Sequence, residues 1–414
     1  MPADLLAIEV DKELPTETEV VIIGGGIIGV ATAYELARKG VQAVVLEKGV
    51  IADEQSSRNW GWCRKQNRDE REIPLIKYSL TRWVEISDEI GKDISFRATG
   101  ITYVSDAEAD VAQWDAWNAM AKAYEMDCRM LSAKEARQLA HGTEKAWIGG
   151  ATSPTDGRAE PGLAVPILAE AARQLGVKIY QYCAARGIEL TNGRVTGVHT
   201  EKGFVKCNAA VCAGGAWSSL FLRRMGLSLP QASVYSTALR TGPAPDFLKG
   251  NLSVPGLAVR RRLDGGYTLG LGGRGRVEIT PQGLLYAPKF LGMFKERHQG
   301  LKIRLGKSFF QGPEAMYGKW SFDEPSPFER YRILPSRAEP SLIVSAEQVM
   351  KQTFPELRDV KIQESWSGLI DNTPDGIPVI SPVENIGGLI VSSGYSGHGF
   401  GIGLGAGRLT ADLV

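Results

Sequence analysis

Apolar residues gather into short unbroken runs at three widely separated places along the chain. Val20-Val21-Ile22-Ile23 is the first, a run of the kind buried on both faces of a parallel sheet. Beyond a cluster of glycines, Ile28, Ala31 and Leu36 recur at helical spacing, and Gly40 supplies a natural C-terminal stop. Ala43-Val44-Val45-Leu46 is a second buried run, so residues 20–47 predict one complete βαβ unit. Residues 209–213 form another strand, ending in Gly214-Gly215-Ala216-Trp217-Ser218, and the runs 187–190, 195–200 and 205–207, with the turn Asn192-Gly193, predict a short meander before it. Residues 387–391 read as a strand, followed by the glycine-rich 392–401 and a helix from about Ile402 to Leu413.

The glycines of the first unit carry chemistry. Gly24, Gly26 and Gly29 fit Gly-X-Gly-X-X-Gly directly after a strand and at the start of a helix. Gly24 suits a tight turn, Gly26 lets the backbone approach a pyrophosphate, and Gly29 lets helix and strand pack closely. The helix N-terminus then presents free N–H groups and a positive dipole end to phosphate. Glu47, at the end of the second strand, is placed to accept bonds from ribose hydroxyls. These features predict a dinucleotide site; the plain alternative is a glycine-rich turn in an unrelated α/β domain. The stretch around Lys48, Ser56, Ser57, Arg58, Asn59 and Gly61 offers hydroxyls and a guanidinium for an extended diphosphate and flavin, or else a polar loop.

At 414 residues the chain exceeds the roughly 250–300 at which one core stops growing, so two domains are expected. Forty-eight basic residues against 47 acidic ones leave a net charge of +1, which provides no general field for nucleic acid. Five scattered cysteines, Cys63, Cys128, Cys183, Cys207 and Cys212, form no Cys-X-X-Cys pair. They predict reduced thiols in a cytoplasmic protein and no metal site. The charged first 18 residues fit neither a signal peptide nor a membrane span.

These residues resemble the D-amino-acid oxidase, glycine oxidase and sarcosine oxidase family of flavoenzymes. The likeness runs nearly end to end, through residues 24–29, 213–218, Thr373-Pro374-Asp375 and Ser396-Gly397-His398-Gly399-Phe400. Within that family the chain is most similar to bacterial L-amino-acid deaminases, at Glu47-Lys48-Gly49, Glu54-Gln55-Ser56-Ser57-Arg58, Cys183-Ala184-Ala185-Arg186-Gly187, Ser326-Pro327-Phe328-Glu329-Arg330-Tyr331-Arg332 and Trp366-Ser367-Gly368.

The resemblance implies an α/β fold: a Rossmann-like domain binding noncovalent FAD, and a substrate-binding domain on an antiparallel or mixed sheet. The first would be discontinuous, over 17–70, 155–225 and 365–414; the second would take 71–154 and 226–364, with an insertion at about 276–325. Cofactor contacts would come from Gly24, Gly26, Gly29, Glu47, Lys48, Ser56, Ser57, Arg58, Asn59, Gly61, Ala185, Gly214, Gly397, His398, Gly399 and Phe400. His398 reads as a flavin-contacting fixture rather than a base.

The resemblance further implies hydride transfer from substrate Cα to flavin N5, giving an imino acid that water hydrolyses to a 2-oxo acid and ammonia. Electrons would pass to oxygen or another acceptor. Three departures bear on this. The deaminases carry an N-terminal membrane anchor that residues 1–18 do not resemble. The cysteine that attaches flavin in sarcosine oxidases aligns with Gly368, and the lysine that activates oxygen there aligns near Thr268.

A substrate carboxylate calls for a buried guanidinium or tyrosine hydroxyl, and the candidates are Arg64, Arg274 and Tyr267. Trp60, Trp62 and Trp366 are candidates for the wall of an apolar pocket. Each is also readable as a surface arginine or a core aromatic. Residues 276–320 interleave Lys289, Lys295, Arg297, Lys302, Arg304 and Lys307 with Leu284, Phe290, Leu291, Met293 and Phe294, the pattern of an amphipathic lid or helix, or of a peripheral membrane contact. The expected activity is deamination of an L-amino acid, basic side chains such as arginine included. Oxidation of a secondary amine such as sarcosine, an imino acid or an opine, or a noncatalytic flavin-binding module, are the alternatives.

Overall fold

The computed structural model describes residues 5–317, 319–335 and 337–414; Asp4, in the charged N-terminal stretch, lies outside them. Its first sheet runs, in spatial order, Val379–Pro382, Leu389–Ser393, Ala209–Cys212, β1 (Val20–Ile23), β2 (Ala43–Leu46) and Lys178–Tyr180. All neighbours pair in parallel except the antiparallel edge strand Val379–Pro382. Every strand of this sheet falls within 17–70, 155–225 or 365–414.

The apolar runs are continuous because both faces are covered. Val20 and Ile22 pack with helix α1 (Ile27–Arg38), helix Pro161–Gln174 and the C-terminal helix Gly399–Leu413. Val21 and Ile23 point the other way, onto the meander Ala185–Thr191, Arg194–Thr200 and Gly203–Lys206. The C-terminal helix starts at Gly399, three residues before the expected Ile402. Its first turn is held from outside: the Gly401 carbonyl accepts from Ser79 Oγ at 2.8 Å and from Trp83 Nε1 at 3.0 Å. The strand expected from 387 starts at Leu389, because Gly388 turns the chain at a φ of +82°.

A second, mixed sheet of ten strands is built around Ala232–Thr241. Leu239, Leu252, Val259 and Leu269 bury one of its faces against Leu342, Ala346 and Met350 of helix Pro340–Thr353. The long strand Ile362–Asn372 pairs antiparallel with Ala232–Thr241, and its far end delivers Thr373 to the loop before the C-terminal helix, where the Thr373 N–H donates to Ser396 Oγ at 3.1 Å. Within 276–325, strands Gly275–Ile279 and Leu301–Leu305 pair in parallel around helix Pro281–Arg297 and extend this sheet at its edge.

Candidate flavin and substrate cavity

A cavity of about 550 Å³ opens at the C-terminal ends of β1 and β2, where doubly wound sheets place their ligands. The turn at its floor requires glycine. Gly24 has φ +113°, and a Cβ there would lie 2.4 Å from the Ala213 carbonyl oxygen. A Cβ on Gly29 would lie 2.0 Å from the Gly24 carbonyl oxygen, so strand and helix can approach this closely only at glycine. Ser56 Oγ accepts the Ile27 N–H at 2.9 Å, which fixes the 53–59 loop over the start of α1.

Glu47 follows β2 and lines the cavity. Its two oxygens accept the Gly25 N–H at 2.8 Å and the Gly49 N–H at 2.7 Å, and burial pushes its carboxyl up. Lys48 Nζ pairs with Glu54 at 2.9 Å and lies over the Trp217 ring, 4.6 Å from its centroid. Arg58 is 4% exposed; one arm donates to the Leu334 carbonyl at 2.9 Å, while its Nε is buried without a partner. Both carboxylate oxygens of Asp53, another lining residue, are likewise buried and unpartnered. Orphaned buried polar atoms beside a cavity are what a polar ligand would satisfy, and a phosphate-bearing dinucleotide fits this lining.

Asn59, Ala185, Gly214, Gly397, His398, Gly399 and Phe400 also border the cavity. Ser57 does not: it is 5% exposed and borders a separate cavity of about 130 Å³. Gly61 lies behind the loop, where its N–H donates to Asn59 Oδ1 at 2.7 Å and a Cβ would lie 2.4 Å from the Ala159 carbonyl oxygen.

Asp371 carried no signal in the sequence beyond standing two residues before the Thr-Pro-Asp motif. It accepts from Gln55 Nε2 at 2.7 Å, Gln231 Nε2 at 3.0 Å and the Gly394 N–H at 3.1 Å, and burial pushes its carboxyl up to about 6. One carboxylate thereby joins the 53–59 loop, the residue that precedes strand Ala232–Thr241 and the C-terminal loop.

The far end of the cavity is aromatic and cationic. Trp60 and Trp62 meet edge to face at 5.9 Å, and Trp62 meets Tyr103 at 6.3 Å. Arg64 lines this end and donates to the carbonyls of Gln66 and Asn67. Arg68, absent from the sequence candidates, is 6% exposed; its Nε donates to the Arg64 carbonyl at 3.2 Å and one terminal nitrogen is buried without a partner. Burial, and then the neighbouring charge of Arg64, push its guanidinium down to about 9. Two cations crowded together in a desolvated site favour an anion between them.

The other substrate candidates lie apart. Tyr267 is wholly buried in the core of the second sheet, and its hydroxyl donates to the Pro245 carbonyl at 2.8 Å. Arg274 is exposed and donates to Ser345 Oγ at 2.8 Å; only its neighbours Gly272 and Gly273 reach the cavity rim. Trp366 is 4% exposed, donates from Nε1 to the Arg58 carbonyl at 2.9 Å and borders the smaller cavity. Thr268 also faces that smaller cavity, accepting from Arg260 at 3.0 Å.

Among known proteins, the FAD dependent oxidoreductase family matches residues 19–413. Glycine oxidase of Pseudomonas aeruginosa is 25% identical over 412 residues, covering 95% of this chain and 94% of its own. The solved L-amino acid deaminase from Proteus myxofaciens, in complex with anthranilate, superposes with a TM-score of 0.94 at 33% identity, over 99% of this chain and 93% of that one. L-amino acid deaminase from Proteus vulgaris gives 0.91 at 30%, over 98% and 95%. With its glycine turn, its three-segment cofactor sheet and a match spanning almost the whole sequence, this chain belongs to the FAD-dependent oxidoreductases that act on amino acids and amines.

Proposed function

We propose that the protein deaminates an L-amino acid to the 2-oxo acid and ammonia. The observation that carries this reading is Arg68, a buried guanidinium with an unpaired nitrogen, set beside Arg64 at the aromatic end of the flavin cavity. Bound FAD supplies the acceptor for the Cα hydride. The protein's own groups have to hold the carboxylate, fix the angle of Cα and keep water out. Arg64 and Arg68 serve the first need, and Trp60, Trp62 and Tyr103 the other two.

Three of the four acidic side chains lining the cavity are otherwise engaged. Glu47 takes two backbone N–H groups, Glu54 pairs with Lys48, Asp371 binds Gln55 and Gln231, and Asp53 stands near Arg58. That supports an apolar or aromatic side chain over a basic one. Gly368 stands where flavin would be attached by a cysteine, which supports noncovalent FAD, and five buried free thiols support a reducing, cytoplasmic compartment.

Anaerobic addition of L-, D- and N-methyl amino acids, followed by the flavin absorbance, tests the reading. Bleaching by L-forms alone supports it, and equal bleaching by D-forms would overturn the L assignment. Bleaching by N-methyl forms alone would turn it to secondary-amine oxidation, and no bleaching would leave a flavin-binding module.

A separate observation bears on partners. Helix Pro281–Arg297 exposes Leu284, Leu291 and Phe294 beside Lys289, Lys295 and Arg297, and no helix among the described residues is long and apolar enough to cross a membrane. An exposed apolar stripe flanked by cations suits the surface of an anionic bilayer. Flotation with vesicles containing anionic lipid should carry the protein upward, and protein left wholly in the soluble fraction would exclude this contact.

A further inference from the structure

Glu72 is a buried carboxylate that the proposed reaction does not otherwise use. It ends the short turn Glu70–Glu72, just ahead of helix Ile73–Glu89, and is 2% exposed. Neither of its oxygens has a hydrogen-bond partner of good geometry. Its Oε2 stands 3.4 Å from Nδ1 of His398, and that nitrogen is itself buried with no other partner. The imidazole lines the cavity, at the start of the C-terminal helix. Two orphaned, complementary atoms facing each other at this distance close into a hydrogen bond with a small rotation of either side chain.

We propose that Glu72 is a positioning residue for His398, holding the imidazole in the tautomer with hydrogen on Nδ1 so that Nε2 faces the cavity as a free acceptor. A carboxylate behind a histidine fixes both ring orientation and tautomer. Resting on the amino-acid reading above, the consequence is a proton acceptor for the substrate. The substrate arrives as an ammonium; its N–H proton passes to Nε2, leaving a neutral amine and an imidazolium whose charge Glu72 balances. Solvent later takes that proton.

The charged surroundings support the timing. The groups facing His398 are Arg64 and Arg68 from the 64–68 segment, Asp69 just beyond it and Glu72 beneath; its chain neighbours Gly397, Gly399 and Phe400 carry no charge. Burial, and then Arg68, push the imidazole down to about 4, against the pull of Glu72. A substrate carboxylate lodged on the two guanidiniums offsets their repulsion, so His398 is more basic with that carboxylate in place than without it.

The chain has four histidines, which makes the tautomer directly readable. Ring-nitrogen NMR of histidine-labelled holoenzyme, with His398 assigned through His398→Asn, should show Nδ1–H in the native protein. Glu72→Gln keeps an accepting oxygen and should retain that pattern, while Glu72→Leu should lose it. With amino acid as substrate, Glu72→Leu should lower kcat by about tenfold or more and KM far less. Unchanged signals of the other three histidines and undiminished flavin absorbance report that each variant is folded. An Nε2–H tautomer in the native protein would overturn the proposal even if a variant failed to fold, and so would an unchanged His398 signal in folded Glu72→Leu. These readouts need no turnover, so a failure of amino acids to bleach the flavin would count against the activity and leave the dyad standing.

Discussion

Gln55 Nε2 donates to Asp371 Oδ1 at 2.7 Å across 316 positions of sequence. The bond ties the loop over the glycine turn to the long strand Ile362–Asn372 of the second sheet. Because Gln231 and Gly394 converge on the same carboxylate, a single buried acid holds the cavity's three walls in register.

The charge on Asp371 makes this junction sensitive to pH. Its folded value of about 6 lies above the ordinary one, so the folded state holds the proton more tightly than the unfolded chain. The associated stability, on the order of 3 kcal/mol, is fully present below pH ~4 and is lost as pH rises through ~6. Asp371→Asn cannot titrate, so its Tm relative to the native protein should rise between pH 4 and pH 7. A Tm difference that stays flat across that range would refute the assignment.

Removing Arg68 should weaken amino-acid turnover without emptying the cofactor site. A charge-assisted bond contributes roughly 1.5–3 kcal/mol. Arg68→Ala should therefore lower kcat/KM by about ten- to a hundredfold at unchanged flavin content, measured by stopped-flow bleaching. Arg274→Ala, on the surface, should leave kcat/KM as it is.

Gly24→Ala should yield protein with little flavin. The new methyl would meet the Ala213 carbonyl at 2.4 Å in a backbone conformation of φ +113°, so the turn must open. The expected cost exceeds ~1 kcal/mol. The ratio of flavin to protein absorbance and the Tm of the reconstituted protein check it.

Arg260 and Glu160 form a bidentate pair at 2.8 and 3.0 Å, with Arg260 only 1% exposed. Burial opposes ionisation of Glu160, but Arg260 prevails and the carboxyl is held down to about 2. Arg260→Met strands that charge and should cost about 3–5 kcal/mol, read by urea denaturation. Arg260→Met combined with Glu160→Leu should recover part of the loss.

How much of this was legible in the chain differs by feature. β1 and β2 occupy Val20–Ile23 and Ala43–Leu46, the spans their apolar runs predict, because a strand covered on both faces has no polar position to blur its edges. The glycine turn was equally plain, since its backbone angles and close contacts admit no side chain. The arginines were not. Arg64 and Arg274 look alike in sequence, yet one borders the cavity and the other bonds Ser345 on the surface.

The βαβ unit and its nucleotide chemistry were readable from the chain alone, because they follow from local periodicity and glycine sterics; that three distant segments share one sheet was an implication of the family resemblance. It took the folded molecule to show that Arg68 and Asp371 are buried at the cavity and Glu72 behind His398, while Tyr267 and Trp366 serve the packing around it. Burial of a charged side chain is created by segments that meet from far along the chain, and its perturbed charge exists only once they have met.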